Sequence, residues 1–345
     1  MICSKNAQRV MDEICTVYLV KDKSKGPPSY YLGNDYKKDS KGRWCIGCKT
    51  YLTEAVCRVE DVLGKQLPKK DTPMTDGDHP EENVLELLDD KGHQRYQMLI
   101  GMLNWIVYIG RMDVAYAATS SLSRFTACPC KGHMDCVLQV FGYLEKYKNR
   151  HVVVDSRDPI VVGGKDALAL DFVEMFKNNY PDATEEVDSK VPAPMIDKLE
   201  ITAFVDSDHA HDKKTQTRSI TGLLILVGRT PVYFMSKRQG TIATSTYGAE
   251  FCAMRTAVEE IQAVRYMLLR CLGVKVKHAS LICGDNKGVI QNCTIQDSLL
   301  KKKHVAIAYH MTREAAAAGM VHPIKTKSGN NFSDILTKAV TGKTF

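Results

Sequence analysis

No apolar run in the 345 residues approaches the ~20 that a membrane-spanning helix needs, so such a helix is not expected. The first residues, MICSKNAQRVMDE, carry charge where a secretory leader needs its apolar stretch, and the expectation is an intracellular protein. Charge of one sign is scarce too. The 47 Lys and Arg against 40 Asp and Glu leave +7, which permits a polyanionic partner without demanding one. A disulfide spacing is missing as well. The twelve cysteines are scattered, many inside apolar periodic runs, and read as reduced core thiols. What remains is a chain long enough for two domains, or for one with an appendage.

The informative stretch is LEITAFVDSDHAHD, Leu199 to Asp212. Ile201, Ala203 and Val205 alternate with Thr202 and Phe204, the pattern of a buried strand. Asp206, Ser207 and Asp208 then fall at its carboxyl end, where open α/β sheets place their chemistry. Two apolar runs, Ser219 to Leu226 and Val232 to Lys237, continue it into an antiparallel meander around Gly228-Arg229-Thr230-Pro231. The spacing of Phe251, Met254, Val258, Ile261, Val264, Leu268 and Cys271 predicts a helix over Thr246 to Leu272, with Thr246 as N-cap and Gly273 at the C-terminal stop. A strand at Leu281 to Cys283, helices at Lys287 to Asn292 and Lys303 to Gly319, a strand at Val321 to Ile324 and a closing helix at Asn331 to Val340 complete a mixed α/β pattern.

Upstream, a helix over Asn6 to Tyr18 precedes a hairpin, Tyr30 to Tyr36 and Arg43 to Cys48, and a helix carrying Leu52, Val56, Val59 and Leu63. Lys65 to Asn83, with Pro68, Pro73 and Pro80, reads as an exposed linker. Helical stretches follow at Gln94 to Ile109, Asp113 to Phe125 and Met134 to Tyr147, then strand-like runs at Val152 to Val154 and Ile160 to Val162. The expected division is residues 1–90, a hairpin and linker segment; 91–165, a helical module; 166–198, a linker with Pro181, Pro192 and Pro194; and 199–345, the mixed α/β domain.

Four acids sit at element edges in this last part: Asp206, Glu250, Asp285 and Asp334. Carboxylates gathered within a few ångströms repel unless a cation lies between them, and all-oxygen ligands select magnesium or manganese over zinc. A pair of such ions activates a water and stabilises the leaving oxygen of a phosphodiester. Spacing alone leaves the alternative open that these acids are helix caps and surface charges.

Several blocks bear on that choice. FVDSDHAHD (Phe204 to Asp212), TRSITGLLI (Thr217 to Ile225), STYGAEFCAMR (Ser245 to Arg255), CGDNKGVIQN (Cys283 to Asn292), KKKHVAIAYHMTREAAAAG (Lys301 to Gly319) and NFSDILTK (Asn331 to Lys338) together resemble the ribonuclease H region of copia-type retrotransposon polyproteins. In the first half YYLGNDY, the DTPM at Asp71 to Met74, and the runs RYQMLIGMLNWIVYIGRMDVAYAATSSLSRF and HMDCVLQVFGYLEKY resemble the thumb and connection segment that joins the polymerase palm to ribonuclease H. The resemblance covers nearly the whole chain from Asn6. It implies a ribonuclease H-like five-stranded mixed sheet with flanking helices, preceded by a mainly helical thumb and connection module with a hairpin. It also implies an RNA/DNA hybrid as substrate, two magnesium ions held by Asp206, Glu250, Asp285 and Asp334, and work inside a cytoplasmic particle with later nuclear access. The alternative is a catalytically silent remnant that only binds nucleic acid. Two departures stand out: His211 replaces a glycine common in its block, and Gly284 precedes the third acid where a bulkier residue is usual.

A reverse-transcriptase palm needs a paired Asp on a strand-turn-strand. Asp89-Asp90, the only adjacent Asp pair, is expected in a polar loop ahead of Lys91-Gly92, so palm and fingers are expected from an upstream segment and no DNA synthesis from this chain alone. Cys45-Ile46-Gly47-Cys48 lacks a second pair for zinc. Cys128, Cys130, His133 and Cys136 place four potential ligands within nine residues, although His133 matches a position commonly His in the family, where the cysteines are absent. Lys301, Lys302, Lys303 and His304 are candidates for phosphate contacts, Ser245 and Asn286 for contacts to the hybrid's sugars. His304 and His310 are alternative candidates for proton transfer near the metals.

Overall fold

The computed structural model describes residues 7–21, 26–159, 170–212, 214, 218–298, 300 and 305–340. Helix α1 (Ala7–Val17) leads to strands β1 (Tyr30–Tyr31), β2 (Asn34–Lys38) and β3 (Trp44–Gly47). Asp39 closes the β2–β3 turn, its Oδ1 accepting from the backbone N–H groups of Lys41 and Arg43, each at 2.9 Å. Strand β4 (His151–Val153) pairs antiparallel with β3 and makes a four-stranded sheet; the expected run at Ile160 to Val162 lies outside the described residues.

Helix α2 (Lys49–Leu63) buries Leu52, Ala55, Val56 and Val59. Lys65 to Asn83, expected as an exposed linker, instead buries Leu67, Met74 and Pro80. It is laid along α4 (Lys131–Lys146), with the Lys70 N–H donating to the Gly142 carbonyl at 3.3 Å. Helix α3 (Asp90–Tyr108) starts four residues before the expected Gln94, because the Asp89 carboxylate accepts from the Gly92 N–H at 2.8 Å and caps it.

The expected helix at Asp113 to Phe125 is not one α-helix. A 3-10 turn at Met112–Val114, a π-turn at Tyr116–Ser121 and a 3-10 turn at Leu122–Phe125 replace it. Hydroxyls compete for the backbone here: Thr119 donates to the Ala115 carbonyl at 2.7 Å and Ser123 to that of Ala118. Helix α5 (Phe172–Phe176) was hidden in the proline-rich stretch, where its only signal is the Phe172 and Phe176 pair that it buries.

The remaining strands are β5 (Ile196–Leu199), β6 (Ile201–Asp208), β7 (Ile220–Val227), β8 (Thr230–Arg238), β9 (Val274–Val276), β10 (Ser280–Gly284) and β11 (Val321–Lys325). Five of them form one mixed sheet in the order β11-β10-β6-β7-β8, while β5 pairs with β9 apart from it. Strands β6, β7 and β8 run antiparallel, and β10 lies parallel to both β6 and β11. Helices α6 (Thr246–Leu272), α7 (Lys287–Thr294) and α8 (Ala306–Ala317) follow the strands. Helix α6 has the expected bounds, but Ser245 is its cap, accepting from the Gly248 N–H at 3.2 Å, and Gly273 ends it at φ 63.

Both faces of this sheet are covered. Ile201, Ala203, Val205, Leu223 and Ile225 share a core with α5, α6, α7 and α8. Phe204, Ile220 and Leu224 project the other way, into the core built by α2, α3 and α4. The closing stretch, expected as a helix, is a 3-10 turn at Phe332–Leu336 laid on this second face. Gly222 on β7 allows the approach: a Cβ there would lie 2.7 Å from Thr337 Cγ2, 2.8 Å from the Ser333 carbonyl oxygen and 3.0 Å from Leu336 Cβ.

Candidate metal centre

Asp206 lies near the carboxyl end of β6, and Asp285 is the first residue past β10. In the parallel register Cys283 faces Phe204, so two residues on, Asp285 comes beside Asp206. Glu250, five residues past the Ser245 cap, arrives just beyond the first turn of α6, above one sheet face, and the turn carrying Asp334 from the other. Carboxylate oxygens of Asp206, Glu250 and Asp285 all lie within 4.8 Å of one another. No other such group of His, Cys, Asp or Glu is found among the described residues.

Neighbours fix these acids. Thr337 Oγ1 donates to Asp206 Oδ2 at 2.6 Å, and Ser328 Oγ to Asp285 Oδ2 at 2.7 Å. Asn331 Nδ2 donates to the Val205 carbonyl at 2.9 Å and stitches the closing turn to β6 beside the site. Asp334, the fourth predicted acid, is not in that group; the charges of Asp206 and Asp285 act on it, it lies 3.5 Å from Lys338 Nζ, and its buried Oδ1 has no hydrogen-bond partner.

The electrostatics follow from crowding. Burial, then the charges of Asp206 and Asp285, push the Glu250 carboxyl up to about 9. Burial and Asp206 push Asp334 up to about 6, against the pull of Lys338. Asp206 is raised by burial first, with Thr337 and Lys338 opposing and Asp285 and Asp208 adding to it. An orphaned buried carboxylate oxygen beside three converging carboxylates is an all-oxygen donor set with excess negative charge. That fits a hard divalent cation such as magnesium or manganese.

The other sequence candidates fall elsewhere. Ser245 and Asn286 cap α6 and α7, Asn286 Oδ1 accepting from the Val289 N–H at 3.1 Å. Lys301, Lys302, Lys303 and His304 lie outside the described residues. His310 Nδ1 is 2.8 Å from the Tyr180 hydroxyl, in a cleft with Asn179 and Arg313. Both ring nitrogens of His133 are engaged, Nδ1 by the Cys130 N–H at 3.1 Å and Nε2 with the Pro80 carbonyl at 2.9 Å, so neither is offered to a metal. Cys45 and Cys48 are buried free thiols. The departure at Gly284 leaves the strand undistorted, since an added Cβ would meet only ordinary contacts, at 3.6 and 3.7 Å. Sequence reasoning missed Gly222, Asn331 and Thr337, although the last two lie within the NFSDILTK block.

A five-stranded sheet ordered fifth, fourth, first, second, third, with only its second strand antiparallel to the central one's parallel neighbours, and acids at the ends of its two central parallel strands, defines a ribonuclease H-like fold. The chain is similar to retrovirus-related Pol polyproteins of copia-type transposons. It is 22% identical to that of transposon RE1 from Arabidopsis thaliana over 97% of this chain, and 24% identical to that of transposon TNT 1-94 from Nicotiana tabacum over 75% of it. It spans about a fifth of the length of these relatives, 19% and 16%. No protein-family model matches. Among solved structures, an N-terminal RNase H domain from Mycobacterium tuberculosis aligns with 40% of this chain and 91% of its own, at 14% identity and TM-score 0.30. LC11-RNase H1 in complex with RNA/DNA hybrid aligns with 41% and 94%, at 13% and 0.31. No described helix is long and apolar enough to cross a membrane.

Proposed function

We propose that this chain is the ribonuclease H portion of a retrotransposon reverse transcriptase and hydrolyses the RNA strand of an RNA/DNA hybrid with two divalent cations. The observation that carries the reading is the approach within 4.8 Å of Asp206 and Asp285, at the ends of adjacent parallel strands, and Glu250 from α6. Asp334 completes the set from the opposite face. Bound cations would supply Lewis acidity and neutralise charge developing on the phosphate oxygens. The protein's part is to hold the four carboxylates in place, with Thr337 orienting Asp206 and Ser328 orienting Asp285. Ser245, Asn286 and residues 301–304 are the proposed contacts to the hybrid's sugars and phosphates.

The same chain performs no DNA synthesis by itself. Its one adjacent Asp pair begins a helix, with Asp89 used as the cap of α3, and palm and fingers belong to another segment of the polyprotein. The test is cleavage of a hybrid labelled in its RNA strand, in magnesium. Wild type cleaves, while Asp206→Asn and Asp285→Asn abolish cleavage and keep the fold, as judged by thermal unfolding. Cleavage unchanged in both variants ends the metal reading. A wild type that binds hybrid without cleaving it at saturating magnesium is the silent remnant.

A further inference from the structure

The turn that follows β6 is held in a conformation its residues disfavour. Ala210 has φ 51, in the left-handed region where a Cβ crowds the following carbonyl. Backbone of this kind persists where its surroundings over-determine it, and it gathers at functional sites. The α/β domain holds the first half of the turn, the Ala210 N–H donating to Ser219 Oγ at 3.4 Å and His209 Nε2 lying 3.1 Å from the Ala243 carbonyl, and the helical module holds the second half. His211, 7% exposed, places Nδ1 2.6 Å from Asp208 Oδ2 and Nε2 2.9 Å from the Tyr116 hydroxyl. A carboxylate only accepts, so the neutral ring carries its proton at Nδ1 and Nε2 accepts from Tyr116.

The neighbouring contacts cross the same seam. Arg124 pairs with Asp212, the Ser120 and Ser236 hydroxyls are 2.7 Å apart, and Thr119 Oγ1 lies 3.0 Å from the Ser236 carbonyl. The His79 ring, itself 2.9 Å from Glu81 through Nδ1, lies 5.6 Å from that of His211. Asp208 ends β6 two residues past Asp206, on the same strand face. Its charge is felt at both Asp206 and Lys338.

We propose that Tyr116 and His211 are positioning residues for the carboxylate site: through His211, the π-turn of the helical module fixes Asp208 and with it the strand end from which Asp206 projects. The helical module is thereby a working part of the metal centre. The inference rests on the nuclease reading for its activity measurement but not for its binding measurement.

The experiment uses the full chain as wild type, Tyr116→Phe, His211→Asn and the double variant, each with manganese affinity by electron paramagnetic resonance, hybrid cleavage kinetics and thermal unfolding. His211→Asn keeps a donor near Asp208 but loses the acceptor for Tyr116. Each single variant is expected to weaken manganese binding about tenfold and to lower kcat by a similar factor, with KM for the hybrid unchanged. The double variant is expected to be no worse than His211→Asn, because the two act in one chain of contacts. Manganese affinity and kcat unchanged in folded single variants would overturn the proposal, as would losses that add in the double variant. A wild type that binds manganese yet cleaves no hybrid removes the nuclease reading, and the affinities alone then decide this one.

Discussion

Replacing Gly222 by alanine isolates the contact that brings Asp334 and Thr337 to Asp206. In a strand this change is ordinarily favourable by about 0.5–1 kcal/mol, because glycine loses more backbone freedom on folding. Here the added Cβ meets Thr337 Cγ2 at 2.7 Å and the Ser333 carbonyl at 2.8 Å. Carbon contacts are optimal at about 3.5–4.0 Å, so the closing turn must retreat by roughly 0.8 Å or more. Overpacking of this sort costs about 1–3 kcal/mol, which outweighs the backbone gain and leaves a net loss on the order of 1 kcal/mol. The same retreat stretches the 2.6 Å bond from Thr337 to Asp206, in the strand pair where Asp206 faces Gly222. Misplacement by about 1 Å costs up to about a hundredfold in rate, so kcat for hybrid cleavage should fall between tenfold and a hundredfold, with more magnesium needed for half-maximal rate. Thermal unfolding and a magnesium titration of cleavage read both effects. An alanine variant that melts no lower than wild type and keeps its magnesium dependence refutes the reasoning.

Three other outcomes follow from the site. Without metal, Glu250 at about 9 binds a proton that the unfolded chain, near 4.3, releases. Folding stability therefore declines as pH rises between those values, by up to about 1.4 kcal/mol per unit from this group, and Glu250→Gln flattens that slope in metal-free unfolding experiments. Asn331→Ala leaves the buried Val205 carbonyl without its side-chain donor and should lower stability by about 1–3 kcal/mol in urea unfolding; no change would mean the closing turn is held by other contacts. A zinc chelator should leave the melting temperature unmoved, because both His133 nitrogens are committed to the protein; a marked drop would show a structural zinc at the cysteine-rich helix start.

What could be read in the amino-acid order was what local periodicity encodes. Helix α6 emerges with its bounds because seven apolar residues recur at intervals of three and four and Gly273 closes it. The strands of the five-stranded sheet emerge because short apolar runs end on turn residues. The acids were found because each stands at the edge of such an element. What stayed hidden depends on distant partners. Nothing around Gly222 announces the turn lying on it, and nothing near His211 names Tyr116, 95 residues away. The Asp113 to Phe125 stretch has helical spacing, yet its hydroxyls and its contacts to Ser236 reshape it. Lys65 to Asn83 looked like a linker because proline and charge mark loops, whether or not a loop is packed down.

The central claim is that Asp206, Glu250, Asp285 and Asp334 jointly hold divalent cations. A crystal of the full chain grown with manganese, measured at the manganese absorption edge, addresses it directly. The account predicts anomalous peaks within reach of the Asp206, Glu250 and Asp285 carboxylates, lost in an Asp285→Asn crystal of the same form. Manganese bound only elsewhere, or a cluster left empty at millimolar manganese, would contradict it.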